Sequence, residues 1–155
     1  MPPDFESRQT ALVNHLGALR DPQQRLAWVV DQARQRTPFP AAWRTPERLV
    51  PGCAARLWLH AWFETPPPHC RFAVDSDSAI LKAFAALICD LYDGLSPDQV
   101  VSHEPDVLHR AGLLTQLTEN RQRTILRVRA VLRDFAQAQA QAQTSADPAS
   151  PPSAA

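Results

Sequence analysis

The sequence has no excess of either charge. Lysine and arginine total 16, aspartate and glutamate also total 16, and the net charge is zero. A neutral chain has no bulk attraction to nucleic acid or to an anionic membrane, so any polyanion site would have to be a local patch. No stretch approaches the ~20 apolar residues that span a bilayer. The opening residues, Met1 to Glu6, contain no basic region followed by an apolar run, so no secretory signal is expected and the expected location is cytoplasmic. Cysteine is scarce: Cys53, Cys70 and Cys89 are an odd number with no CxxC pair. That argues against a disulfide framework and against a tetrahedral zinc site. At least one thiol is therefore expected to be free. His60, His69, His103 and His109 have no ligand spacing, and no metal is expected.

What is present suits one domain. The 155 residues are 45% hydrophobic, enough for a core. Leu12, Leu16 and Leu19 recur at helical spacing and predict a helix over Phe5–Leu19. Asp21-Pro22-Gln23-Gln24 reads as an N-cap, a first-turn proline and a capping-box glutamine. It opens a helix whose stripe is Leu26, Val29, Val30 and Ala33. Thr37 to Pro51 holds four prolines and no stripe, which predicts an extended connection ending in a short strand at Arg48-Leu49-Val50.

Gly52-Cys53 reads as a turn. Ala55 to Phe63 alternates, with Leu57, Leu59, Ala61 and Phe63 on one face and Arg56, Trp58, His60 and Trp62 on the other. The two tryptophans imply that this second face is partly covered. Thr65-Pro66-Pro67-Pro68-His69 cannot continue a ladder and reads as the hairpin loop. Cys70 to Asp75 is the returning strand. Ser76 or Asp77 is the expected cap of a core helix over Ser78–Tyr92, stopped by Asp93-Gly94. Ser96-Pro97-Asp98-Gln99 opens a short helix, and Pro105 to Ala111 forms another. Thr118 caps the last, Glu119 to about Ala136. The class is α+β: a small antiparallel sheet of about three strands packed with several helices. It occupies residues 1–136. The Gln-, Ala-, Ser- and Pro-rich residues 137–155 offer nothing to bury and read as a disordered tail.

Four ordered motifs resemble the SufE family. Val50-Pro51-Gly52-Cys53 feeds a strand bearing Leu57-Trp58. Asp75-Ser76-Asp77-Ser78 is followed by Ile80, Leu81 and Lys82. Leu91-Tyr92-Asp93-Gly94 precedes Ser96-Pro97-Asp98-Gln99-Val100. Leu114-Thr115-Gln116-Leu117-Thr118 precedes Arg121. Three positions depart from the family pattern: Ala54-Ala55 stands where a polar pair is usual, Thr118-Glu119-Asn120-Arg121 replaces Ser-Pro-Ser-Arg, and Thr124 stands near a usual glycine.

The resemblance implies the SufE fold and a persulfide acceptor at Cys53. The implied donor is a pyridoxal-phosphate-dependent cysteine desulfurase of the SufS or CsdA kind, which the chain would also stimulate. The implied recipient is a SufBCD-like iron–sulfur scaffold. Self-association as a homodimer is a further family expectation. Pyridoxal phosphate belongs to the donor, and this chain needs no cofactor of its own. The resemblance also implies that the unloaded Cys53 is tucked into an apolar hollow and swings out on binding.

The residues themselves fit sulfur transfer. A thiolate must reach into another protein's pocket, so access decides the rate. Gly52 lets a turn present the sulfur at its tip, and Ala54 and Ala55 add little bulk. Strand alternation argues against Arg56 reaching Cys53. Cys89 reads as a buried core thiol, and Cys70 as an edge or surface thiol without a role. Asp77 reads most simply as the helix cap, with partner contact as the other reading. Arg121 either bridges elements or helps hold the cysteine loop. Two other functions compete: a docking module that regulates a desulfurase without accepting sulfur, and nucleic-acid binding through Arg121, Arg123, Arg127, Arg129 and Arg133. These five do not share one helix face, so a solvated surface is the simpler account.

Overall fold

The computed structural model describes residues 3–145. Within them run six α-helices and one β-hairpin: α1 (Phe5–Ala18), α2 (Pro22–Arg34), β1 (Leu57–Glu64), β2 (His69–Ser76), α3 (Ala79–Tyr92), α4 (Pro97–Ser102), α5 (Val107–Arg110) and α6 (Glu119–Ser145). The α+β class is as expected, but the sheet has two strands rather than about three. The segment expected as a third strand contributes one bridge, Leu49 to Trp58. Pro46 starts a 3-10 turn through Arg48, and a proline-initiated turn leaves no length for a ladder.

Local chemistry sets the helix starts. The Asp4, Asp21 and Ser96 side chains accept from the backbone N–H groups of Ser7, Gln23 and Gln99. Each satisfies a donor that the first helical turn leaves without a partner. The cap of α3 is Ser78, accepting from Leu81 N–H at 3.2 Å, and not Ser76 or Asp77. Both of those side chains have other partners. Ser76 Oγ donates to the Arg56 carbonyl at 2.7 Å, and Asp77 pairs with Arg56.

Helix α3 is the centre of the molecule. Leu81, Phe84, Leu87, Ile88 and Leu91 are buried, and so are Ala83, Ala85, Ala86, Cys89 and Tyr92, while Ile80 is half-buried. A helix apolar nearly all round is one covered on several sides; here β2, α2 and α6 do the covering. Tyr92 has its hydroxyl satisfied by the His103 carbonyl at 2.8 Å and packs against Phe5 at 4.9 Å. Leu57 and Leu59 face this core. The opposite face of β1 is covered as expected: Trp43, from the proline-rich connection, stacks on His60 at 4.0 Å and reaches Trp62 at 5.5 Å.

Helix α6 runs past Ala136 to Ser145. Residues 137–145 are thus helical where the composition predicts the start of a disordered tail. Alanine is the strongest helix former and glutamine is close behind it. A helix already anchored by Val128, Leu132 and Ala136 propagates through such residues at little cost, because nucleation is the expensive step. The tail expected over 146–155 lies outside the described residues. Among the described residues, no helix is long and apolar enough to cross a membrane.

The end of β2 is fixed by Asp75, which is nearly buried. Its carboxylate accepts from Arg44 Nε at 2.6 Å and Ser76 N–H at 2.9 Å, and Lys82 Nζ lies 3.4 Å away. Burial pushes this carboxyl upward, but Arg44, the Ser76 N–H and Lys82 outweigh burial and hold it below the ordinary range. A carboxylate lowered in the folded state stabilises the fold above the unfolded pKa of about 3.9, and that contribution is lost as pH falls through the lower folded value. Asp75→Asn is expected to cost about 1.5–3 kcal/mol at pH 7, the range for hydrogen bonds to a charged group. It should also flatten the loss of stability below pH 4. Urea unfolding across pH 2.5–7 checks both.

Candidate functional site

Cys53 lies on a loop closed at its base by the Val50 N–H, which donates to the Leu57 carbonyl at 2.8 Å. The residues between must reverse direction, and Gly52 does so with φ +79°. L side chains rarely adopt that region, so glycine is required. The returning limb is tied down at Arg56, whose carbonyl accepts from Ser76 Oγ and from Asp77 N–H. The Asp75-Ser76-Asp77-Ser78 motif is therefore the mooring of the cysteine loop as well as the start of α3.

The third tie comes from α6. Arg127 Nη1 donates to the Gly52 carbonyl at 2.6 Å. A Cβ built on Gly52 would sit 2.7 Å from Arg127 Cζ, so the guanidinium occupies the space a side chain would need. The sequence leaves Arg121 either bridging elements or helping to hold this loop. The structure gives that task to Arg127, 75 positions from Gly52. No local pattern marks such a pairing; only the missing side chain of Gly52 hints that something packs closely there.

Cys53 is half-buried and packs against the edge of the core. Its Sγ lies 4.0 Å from the Pro51 carbonyl. Beside it opens a hollow of about 560 Å³. Cys53, Ala54 and Ala55 form one wall, and Ser78 and Leu81 of α3 another. The floor is a face of α6, where Asn120, Arg123, Thr124 and Arg127 recur at three- and four-residue intervals. Arg121 stands at the rim. The expected apolar hollow is thus a polar one on this side, with three arginines and no carboxylate in its lining. A smaller, more apolar hollow of about 280 Å³ lies beside α5 and α6 and contains no thiol.

The other predicted site residues take these places. Asp77 is not the helix cap; it pairs with Arg56 Nε at 2.7 Å. Arg56 also lies over the Trp58 ring, 5.3 Å from its centroid, so its charge is engaged away from the thiol. Arg121 has no side-chain hydrogen bond or ion pair among the described residues. Cys89 is fully buried, as its helix position requires. Cys70, expected at an edge or surface, is fully buried too. Its N–H donates to the Leu95 carbonyl, and its carbonyl accepts from Gly94 N–H, so the α3–α4 connection covers it. Burial pushes both thiols up to about 12, which keeps them protonated and inert near neutrality. Among the described residues, no three His, Cys, Asp or Glu side chains are grouped to hold a metal ion.

Comparison with known proteins agrees with this architecture. The family model for SufE, an Fe-S metabolism associated domain, matches residues 10–136. The chain belongs to the SufE family. Two chloroplastic quinolinate synthases of Nicotiana tabacum are 32% and 31% identical to this SufE domain over 111 residues, 70% of this chain. The chain spans about 15% of the length of those relatives. In structure it is similar to a hypothetical protein from Thermus thermophilus solved in solution. The TM-score is 0.68 at 20% identity, covering 84% of this chain and 93% of the other. That likeness concerns the fold.

The three loop ties and the two buried thiols lead to a labelling prediction. Iodoacetamide on the native protein should modify Cys53 and leave Cys70 and Cys89 unlabelled until denaturant is added. Arg127→Ala removes one tie worth about 1 kcal/mol. It should speed amide hydrogen exchange across residues 50–56 roughly five- to tenfold without changing exchange in α3. Mass spectrometry reads both outcomes.

Proposed function

We propose that this chain is a sulfur carrier, accepting a sulfur atom on Cys53 from a cysteine desulfurase and delivering it to an iron–sulfur assembly scaffold. The family places the chain in iron–sulfur metabolism. The observation that carries the finer reading is the contrast among the thiols: Cys70 and Cys89 are sealed in the core, while Cys53 sits at a glycine turn beside an open hollow. A sulfur acceptor needs one thiol that a second protein can reach, and no neighbouring thiol that would capture the sulfur.

The Cys53 thiolate attacks the outer sulfur of the donor's persulfide. The bond between the donor's two sulfurs breaks, and its cysteine leaves as a thiolate. The new bond joins Cys53 Sγ to the transferred sulfur. No net oxidant or reductant is consumed, because the sulfane sulfur keeps its oxidation state. The donor's thiolate is free to begin another cycle, so acceptance stimulates the desulfurase. Ala54 and Ala55 add little bulk beside the sulfur, and Gly52 provides the turn on which it is presented. Pyridoxal phosphate stays with the donor, and this chain acts as a substrate and activator rather than as an enzyme.

Incubation with a cysteine desulfurase and cysteine should add ~32 Da, one sulfur atom, to the Leu49–Arg56 peptide of the wild type. Cys53→Ser should gain no mass and should lose stimulation while still binding the desulfurase. Full stimulation by Cys53→Ser, with no adduct on the wild type, would make the chain a docking module that regulates its partner without taking sulfur.

A further inference from the structure

The hollow beside Cys53 has a charge that sulfur acceptance alone does not explain. Arg121, Arg123 and Arg127 all line it, and no Asp or Glu does. The chain as a whole is neutral, so this is a local concentration of one sign. Elsewhere several basic side chains meet carboxylates. Arg44 and Lys82 meet Asp75, Arg56 meets Asp77, Arg71 meets Glu64 and Asp93, and Arg129 and Arg133 meet Glu104. At the hollow, Arg123 has the neutral Asn120 amide oxygen, Arg127 the Gly52 carbonyl, and Arg121 no side-chain partner among the described residues. Each guanidinium has five N–H donors, so most of these donors remain open to a ligand.

We infer that this hollow is a docking site for carboxylates on the surface of the sulfur-donating protein. The inference rests on Cys53 being the sulfur acceptor. To receive sulfur, Cys53 must meet a residue of the donor, and the wall it shares with the three arginines then faces the donor's surface. A cavity of about 560 Å³ is far larger than a single sulfur atom and has room for acidic side chains. Aspartate or glutamate suits it because guanidinium forks pair with planar carboxylates through two parallel hydrogen bonds. Such pairs at an interface chiefly raise the association rate and set the choice of partner. They also bear on the loop: a carboxylate that takes Arg127 competes with the Gly52 carbonyl, so docking loosens the turn that holds Cys53.

The test measures Cys53 persulfide formation against acceptor concentration, at 50 and 500 mM salt, with a cysteine desulfurase. Arg121→Gln with Arg123→Gln should raise the half-saturating concentration at least fivefold at 50 mM salt. It should also flatten the fall in kcat/KM between the two salt concentrations. Arg121→Lys with Arg123→Lys, which keeps the charge, should restore most of both. A half-saturating concentration and salt slope equal to wild type in the Gln variant would overturn the site. So would equal weakening by the Lys variant, since that would assign the arginines a packing role. If wild type gains no sulfur, the acceptor reading fails by itself. Calorimetric binding of the same variants to the desulfurase then decides the docking site separately: a fivefold weaker Gln variant upholds it, and unchanged affinity rejects it.

Discussion

The contact between Arg127 and the Gly52 carbonyl joins the functional loop to the rest of the molecule. It is a mutual constraint. Gly52 must lack a side chain both because its φ is +79° and because the Arg127 guanidinium occupies the place a Cβ would take. Arg127 in turn finds an outward-turned carbonyl only because the turn is left-handed. The bond is solvent-exposed, so its net worth is about 1 kcal/mol rather than the several it would have in a dry interior. That size suits the proposed carrier role. A tie of about 1 kcal/mol is open roughly a sixth of the time, so a partner has little work to do in displacing it. A much stronger tie would oppose delivery of the thiol, and a much weaker one would leave the turn unplaced.

The same device recurs through the fold. Lys82 is the one lysine; every other basic residue is arginine. Arg8 reaches the Asp90 and Asp93 carbonyls at the end of α3, and Arg25 the Leu16 and Leu19 carbonyls at the end of α1. Arg129, nearly buried, donates to the Val100 and His103 carbonyls at the end of α4 and lies 4.4 Å from the Tyr92 ring centroid. The last carbonyls of a helix have no partner of their own. A planar guanidinium can serve two at once and still stack on a ring, which an ammonium cannot. Short helices that would fray alone are joined in this way to the elements beside them.

Most helix boundaries were legible because caps act over three or four residues. Asp21-Pro22 and Ser96-Pro97 behave as their local chemistry dictates. The Asp75-Ser76-Asp77-Ser78 run was harder, since all four residues are good caps. The choice among them was made by Arg44 and Arg56, which lie outside α3, and by Lys82 of α3 itself. Ser78 remained as the cap because the other three were engaged. Cys70 illustrates the same limit: strand position and a preceding proline loop suggest exposure, but the carbonyl of Leu95 and the N–H of Gly94 bring a later segment over it. Cys53 was singled out by Gly52 and the ordered motifs around it, and it is the thiol that is not fully buried. Arg127 was not, because its partner is 75 residues away and is a backbone atom.

The arginines of α6 resolve into two faces with different roles. Arg129 and Arg133, four apart, both turn to Glu104 and fasten the helix to the end of α4. Arg123 and Arg127, also four apart, lie on the face that floors the Cys53 hollow, with Arg121 at its rim. Thr124 lies between them, nearly buried, and its hydroxyl donates to the Asn120 carbonyl one turn back. A glycine at this point would lower helix propensity by only about 0.3 kcal/mol relative to threonine, but it would remove the hydroxyl's bond to the Asn120 carbonyl. A regular helical turn here carries the guanidiniums to the loop, and the loop's glycine has the shape to receive one of them.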